Sequence, residues 1–248
     1  MQCNLTIDIG NSFSKLALWH NDTPVATHRL MSLPTYQDFA EFIGNHTVNA
    51  IAFCSVIKQD ALDGFADMLK QISPRVYQLD YQLSTPLKNA YATPETLGMD
   101  RLAAACGAYS LAKGSDILVV DMGTAVTYDF VSSRAEYRGG NIAPGLRLRL
   151  MSLNEHTQCL PLEPTTDSLP DDIFGKSTHD AILLGCIRGI AAEILYYATV
   201  NTSCTVCLTG HDAATIIPLL QNLPVITDDN LVGRGLNTII NHNLQYEN

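Results

Sequence analysis

Twice in this chain an apolar run ends in Asp-x-Gly followed by a small polar residue. Leu5-Thr6-Ile7-Asp8-Ile9-Gly10-Asn11-Ser12 is the first copy, and Ile117-Leu118-Val119-Val120-Asp121-Met122-Gly123-Thr124 is the second. Each reads as a buried strand that delivers a carboxylate to the mouth of a sheet. Glycine then permits a tight turn with backbone N–H groups exposed, and the hydroxyl beside it completes a cradle for phosphate oxygens. A single Asp-Gly turn is ordinary hairpin punctuation. Two copies nearly half the chain apart, each followed by an apolar segment fit to be the returning strand (14–19 and 125–131), predict a duplicated α/β fold. Its two phosphate loops would face each other across a nucleotide.

Composition narrows the partners. Of 248 residues, 46% are hydrophobic and 16% charged, an ordinary globular balance. The formal net charge of −10, from 15 Lys and Arg against 25 Asp and Glu, argues against a nucleic-acid surface and against docking on anionic lipid. It also sets a problem, because a phosphate substrate needs positive potential from backbone N–H groups, a few basic side chains or a bound cation. The N-terminus has no basic n-region and carries Asp8 in its first apolar run, so it does not read as a secretory signal, and a cytoplasmic protein is expected. The apolar stretch 181–200 is broken by Arg188 and Glu193, which favours a core helix over a membrane span. Seven scattered cysteines fit reduced, mostly buried thiols. Cys204 and Cys207 form a C-x-x-C, but residues three apart on a strand face opposite sides, and no second pair completes a zinc site.

Taken in order, the pattern predicts a three-strand meander (4–9, 14–19, 25–30), a helix over 36–43, a strand over 50–54, a helix over 59–72 and a strand over 75–79. Residues 80–98 read as a loop, followed by a helix from Asp100. A second meander begins near Ile117 and returns through 137–142. After it come a helix opened by Pro144-Gly145-Leu146, a loop over 161–170, a long helix over 178–200, a strand over 205–208, a helix over 213–220 and a closing helix over 231–241. Domains of 1–113 and 114–248 are expected, each a mixed sheet flanked by helices.

Three further motifs bear on chemistry. Gly175-Lys176-Ser177-Thr178 looks like part of a P-loop, but Pro170 stands where the first glycine is needed and no buried strand precedes it. Gly98-Met99-Asp100-Arg101 is either a plain helix start or a functional one. In the functional reading the helix N-terminus lowers the Asp100 pKa, so that the ionised carboxylate accepts a proton from an alcohol, while Arg101 points elsewhere to hold a substrate group or a partner subunit. Gly139-Gly140-Asn141-Ile142-Ala143-Pro144-Gly145 allows close backbone approach and leads to a helix N-terminus that attracts an anion.

In order, Asp8-Ile9-Gly10-Asn11-Ser12, Gly98-Met99-Asp100-Arg101, the segment from Asp121 to Asp129, Gly139 to Gly145, and Leu208-Thr209-Gly210 resemble the type III pantothenate kinases. These are members of the acetate and sugar kinase, Hsp70 and actin superfamily. The resemblance spans most of the chain. It implies a duplicated ribonuclease-H-like, actin-like ATPase fold, a homodimer, and ATP-dependent phosphorylation of pantothenate to 4′-phosphopantothenate, the first step of coenzyme A biosynthesis. By position it implies a first ATP loop of Asp8, Ile9, Gly10, Asn11, Ser12, Phe13, Ser14 and Lys15, with Thr124 in the second. Asp100 would be the catalytic proton acceptor. Tyr91, Gly98, Met99, Asp100, Arg101 and Thr178 would contact pantothenate, and Asp121 would hold a monovalent cation. ATP with Mg²⁺, helped by K⁺ or NH₄⁺, would answer the charge problem. His211 and Gly233 depart from the family pattern, away from the reacting groups. The family includes members named Bvg accessory factor, so the alternatives are a non-enzymatic accessory or regulatory protein on this fold, or another ATPase or phosphatase of the superfamily.

Overall fold

The protein is described by a computed structural model over residues 1–57, 59–165, 169, 172–200 and 204–247. In chain order its elements are β1 (Gln2–Ile9), β2 (Ser14–His20), β3 (Thr23–Leu30), α1 (Tyr36–Ile43), β4 (Thr47–Ser55), α2 (Phe65–Lys70), β5 (Val76–Gln78), β6 (Lys88–Asn89) and α3 (Met99–Leu111). There follow β7 (Ile117–Met122), β8 (Ala125–Ser132), β9 (Glu136–Pro144), α4 (Leu146–Glu155), α5 (Thr178–Val200), β10 (Thr205–Gly210), α6 (Ala213–Ile216), β11 (Val225–Thr227) and α7 (Leu231–Leu244). They form two compact units, one of Met1–Lys113, Ala135–Tyr137 and Asn230–Asn248, the other of Gly114–Arg134 and Arg138–Asp229.

The first unit is built on a sheet of order β3-β2-β1-β4-β5, with β1 to β3 antiparallel and β4 and β5 parallel to β1. Alternation along β1 sends Cys3, Leu5, Ile7 and Ile9 into a core with Phe39, Phe53 and Phe65. The opposite face is covered by α3 and α7 and is lined with small side chains, Ala17, Ala50 and Ala52. Trp19 is fully buried there and donates its indole N–H to the Thr6 hydroxyl at 2.8 Å. Gly233 lies over this pair, where a Cβ would stand 3.2 Å from Thr6 Oγ1 and 3.4 Å from Trp19 Cζ2. The departure from the family pattern is thus a packing adjustment to Trp19. Helices α3 and α7 meet through glycine, since a Cβ on Gly235 would lie 1.7 Å from the Ala103 carbonyl oxygen and one on Gly107 2.3 Å from that of Leu231. Helix α7, which the sequence reading places with the second domain, therefore belongs to the packing of the first unit.

The second unit repeats the winding, with order β11-β10-β7-β8-β9 matching β5-β4-β1-β2-β3. Leu118, Val120 and Met122 of β7 pack with Ile187, Ile190 and Ile194 of α5 in its core. By length and composition α5 could cross a membrane, but half of its apolar window is buried inside the protein. β6 pairs in parallel with Glu136 and Tyr137, the first residues of β9, which group with the first unit.

Several expectations need correction. The helix expected over 59–72 is a 3₁₀ turn (Gln59–Leu62) and α2, separated by Gly64 at φ 74°. The second half of the helix expected over 213–220 is likewise a 3₁₀ turn, Ile217–Leu219, with Pro218 inside it. Pro144 does not open α4; it ends β9, and Gly145 is the N-cap. The loop expected over 80–98 holds β6 and a 3₁₀ turn at Pro94–Thr96. The loop expected over 161–170 lies partly outside the described residues.

Candidate active site

In the first unit, strand register places Cys54, Asp8, Lys15 and Arg29 side by side across β4, β1, β2 and β3, on the face covered by α3 and α7. Asp8 is half-buried at the carboxyl end of β1, and the Cys54 thiol, fully buried, approaches its Oδ1 at 3.8 Å. Burial first, then the charges of Asp8 and Asp100, push the Cys54 thiol well above its usual range. Cys54 therefore stays a neutral donor to Asp8 at neutral pH. No sequence motif pointed to Cys54 or Arg29, because only the pairing register shows them.

The Gly10 N–H closes the loop by donating to the Phe13 carbonyl at 2.9 Å, and the Gly123 N–H donates to the Ala125 carbonyl at 3.0 Å. Neither glycine has a left-handed φ. Each glycine's own N–H is thus used in closing its turn, and neither turn needs a positive φ. At Gly10 the constraint is space, with a Cβ falling 3.1 Å from the Phe13 oxygen, and Asn11 and Ser12 at the loop tip are exposed. Ile9 is buried and Ser14 begins β2, so both are framework positions. The Arg29 guanidinium carbon lies 3.3 Å above the centre of the Phe13 ring.

Asp100 sits in the first turn of α3, whose N-cap is Gly98. A Cβ at Gly98 would lie 2.6 Å from Asp100 Oδ1, so glycine is what leaves room for that carboxylate. Burial raises the Asp100 pKa against the lowering effects of the Arg101 N–H, which donates to Oδ1 at 2.9 Å, of the Arg101 charge and of its own N–H. The expected depression by the helix end is overturned, because desolvation outweighs it. Arg101 is buried, 6% exposed, with its guanidinium 5.9 Å from the Tyr91 ring centre, and Tyr91 leans on Tyr137 at 6.2 Å. A merely solvated arginine is thereby excluded. Met99 is half-buried beside them.

In the second unit the equivalent row is Thr209, Asp121 and Thr127, on β10, β7 and β8. It gathers a half-buried carboxylate and two hydroxyls, an oxygen-rich set in which Thr127 occupies the place of Lys15. Thr124 is exposed at the loop after β7. The required glycines lie around it. A Cβ at Gly145 would stand 2.3 Å from the Gly123 oxygen, and one at Gly140 2.0 Å from that of Tyr128. At Gly210, φ is 100° and a Cβ would meet the Met122 backbone at 2.4 Å. His211 follows, exposed. Behind the loop, Arg149 donates to the Pro144 carbonyl at 2.8 Å and to both Glu193 oxygens at 2.8 and 2.7 Å, while the Tyr128 hydroxyl donates to Glu193 at 2.5 Å. Burial opposes ionisation of Glu193, but the hydrogen bonds from Arg149 and Tyr128 outweigh it and hold its pKa low. The network ties α4, α5 and β8 to the strand end that abuts Thr124. Thr178, the exposed first residue of α5, lines with Arg149, Ser152, Leu160 and Ile182 a cavity of about 590 Å³. It belongs to this unit, whereas Tyr91 and residues 98–101 belong to the first.

A family model for type III pantothenate kinase matches residues 4–199. Among curated relatives, the type III pantothenate kinase of Phocaeicola vulgatus is 36% identical over 249 residues, covering 97% of this chain and 98% of that protein. That of Bacteroides fragilis is 38% identical over 245 residues, with coverage of 97% and 98%. Among solved structures, one described as a Baf family transcriptional activator from Campylobacter jejuni matches with a TM-score of 0.67 at 24% identity, covering 97% of this chain and 99% of that one. A ROK family glucokinase from Streptomyces griseus matches with a TM-score of 0.55 at 13% identity, covering 97% and 98%. Those two likenesses establish the sugar-kinase type of fold, with its two mixed sheets flanked by helices. Model and curated relatives together establish that the chain belongs to the type III pantothenate kinase family.

Proposed function

We propose that Asp100 is the general base of an ATP-dependent pantothenate kinase, the entry enzyme of coenzyme A synthesis. The observation that carries this is a half-buried carboxylate of raised pKa, Asp100, in the first turn of α3, the helix that packs on β4 beside the Asp8–Cys54 pair's sheet face. A carboxylate made more basic by burial is better matched to taking a hydroxyl proton at neutral pH than an ordinary aspartate. The Asp100 carboxylate takes the proton of the pantothenate 4′-hydroxyl as its oxygen attacks the γ-phosphorus, and ADP departs with the bridging oxygen. Asp8 to Lys15 and Thr124 bind the phosphates, while Tyr91, Gly98, Met99, Arg101 and Thr178 orient pantothenate, with Arg101 supplying a cation for its carboxylate.

Among the described residues no three His, Cys, Asp or Glu side chains converge on one point. That suits Mg²⁺, which is commonly held by one or two carboxylates together with substrate phosphates and water. Asp8 would hold it, and when bound it neutralises charge on the β- and γ-phosphates. Asp121, with hydroxyls on either side in the row, is the place for K⁺ or NH₄⁺. The reading includes a cytoplasmic location and a homodimer. What supports the dimer is the family, together with an exposed stripe of Ala181, Gly185, Ala192 and Tyr196 along α5. The deciding experiment is a coupled ADP-release assay with MgATP and pantothenate. Release that does not depend on pantothenate would refute the kinase reading.

A further inference from the structure

Lys15 and Arg29 are directly opposite each other across β2 and β3. Like charges at directly opposed positions of an antiparallel pair repel and destabilise it. In a chain with ten more acidic than basic residues, a carboxylate would be the easy remedy. Among the described residues none lies in ion-pair range of either cation, although Asp8 stands next to Lys15 in the row. The Arg29 guanidinium carbon is instead 3.3 Å from the centre of the Phe13 ring, and Phe13 supplies the carbonyl that closes the Gly10 loop. A cation–π contact of this kind restrains the guanidinium, and a guanidinium offers a fork of N–H groups suited to paired contacts with phosphate oxygens.

We propose that Arg29 is a nucleotide-phosphate ligand, forming with Lys15 a two-cation grip whose spacing is set by strand register and whose orientation is set by Phe13. The inference rests on the assignment of Asp8 to Lys15 as the ATP loop. Its place in the row selects the phosphates. Helix α3, with Asp100 in its first turn, packs on β4, the strand of Cys54, and β3 is three strands from β4, roughly 14 Å at the usual spacing. The transferred phosphate must be at the Asp100 end, so Arg29 holds the phosphates that remain in ADP. Contacts to these are equal in ground and transition states, and they govern affinity rather than turnover.

The test is calorimetric titration of MgADP, with adenosine as control, into the wild-type protein and Arg29→Gln, Arg29→Lys and Lys15→Gln variants. Kinase kinetics at saturating MgATP accompany the titrations. Loss of one charge-assisted contact should weaken ADP about tenfold to a hundredfold in Arg29→Gln and leave adenosine unchanged. Arg29→Lys should recover part of the loss, and kcat in Arg29→Gln should stay within about twofold of wild type. Arg29 is exposed near the sheet edge, so the variant should keep the wild-type circular dichroism spectrum. If Lys15→Gln weakens ADP and Arg29→Gln does not, the proposal is overturned while the loop assignment stands. If neither variant changes ADP affinity, the loop assignment falls and takes the proposal with it.

Discussion

Asp100 concentrates the chemistry in one carboxyl group. Because burial raises its folded-state pKa, ionising it costs folded stability, so the stability it contributes is full at low pH and is lost as pH rises through the raised pKa. At neutral pH Asp100→Asn should therefore lower kcat by roughly 10² to 10⁴ and leave the melting temperature equal or higher. Retention of more than half the wild-type kcat would remove Asp100 from its role. The acid limb of the kcat/KM profile should lie above the range of an ordinary aspartate and vanish in the variant. Asp8, Asp100 and Asp121 were legible in the sequence because strand-Asp-x-Gly and a helix start are local patterns. Arg29 and Cys54 were not, since their relevance comes from cross-strand register, a relation between residues 14 and 46 positions apart. The reason for the glycines was misjudged for the same cause. Gly10 and Gly123 look indispensable in isolation, yet Gly140, Gly145 and Gly210 carry the tight contacts, which only the folded neighbours reveal.

Helices and strands divide similarly. Long periodic elements such as α1 and α5 have the bounds that the pattern predicts, while β6 and β11, of two and three residues, are too short to leave a period. The α3–α7 contact makes a sharp prediction. In Gly235→Ala the new methyl would meet the Ala103 oxygen and force the helices apart, which typically costs about 1–3 kcal/mol. That should lower the melting temperature by roughly 2–12 °C, as measured by circular dichroism. An unchanged melt would mean that the two helices are free to separate at that point. Along α5 the apolar residues Leu183, Leu184, Ile187, Ile190 and Ile194 are buried in the helix's own unit. What faces outward is small, Ala181, Gly185 and Ala192, ending in Tyr196. Small residues let a second helix approach closely, so a dimeric mass by light scattering at micromolar concentration is expected, and Gly185→Glu should shift it toward the monomer. A monomeric wild type would contradict the assignment.

Over the whole molecule, charge sets the last requirement. A protein of net charge −10 has to host ATP, with about four negative charges, beside Asp8, Asp100 and Asp121, and unpaired charge in a partly desolvated cleft costs several kcal/mol. With Mg²⁺ held constant, K⁺ or NH₄⁺ should raise the rate, and the smaller, more strongly hydrated Na⁺ should do so poorly. Asp121→Asn should abolish the stimulation. A KCl titration against a bulky organic cation at constant ionic strength separates a specific site from screening, and identical rates with and without K⁺ would reassign Asp121.

Helix α7 gives synthesis a fixed order of events. Strands β1, β2 and β4 are complete by residue 55 and α3 supplies part of their cover, yet the helix that lies over Thr6 and Trp19 begins only at Leu231. At ribosomal speeds of about 5–20 residues per second, roughly 9–35 s pass between the two. During that interval the whole of the second unit emerges and can collapse on its own, while Trp19 waits uncovered on the nascent chain. The first unit to be started is the last to be finished, and the interval in which Trp19 is exposed is the period in which a newborn chain most needs protection from its neighbours.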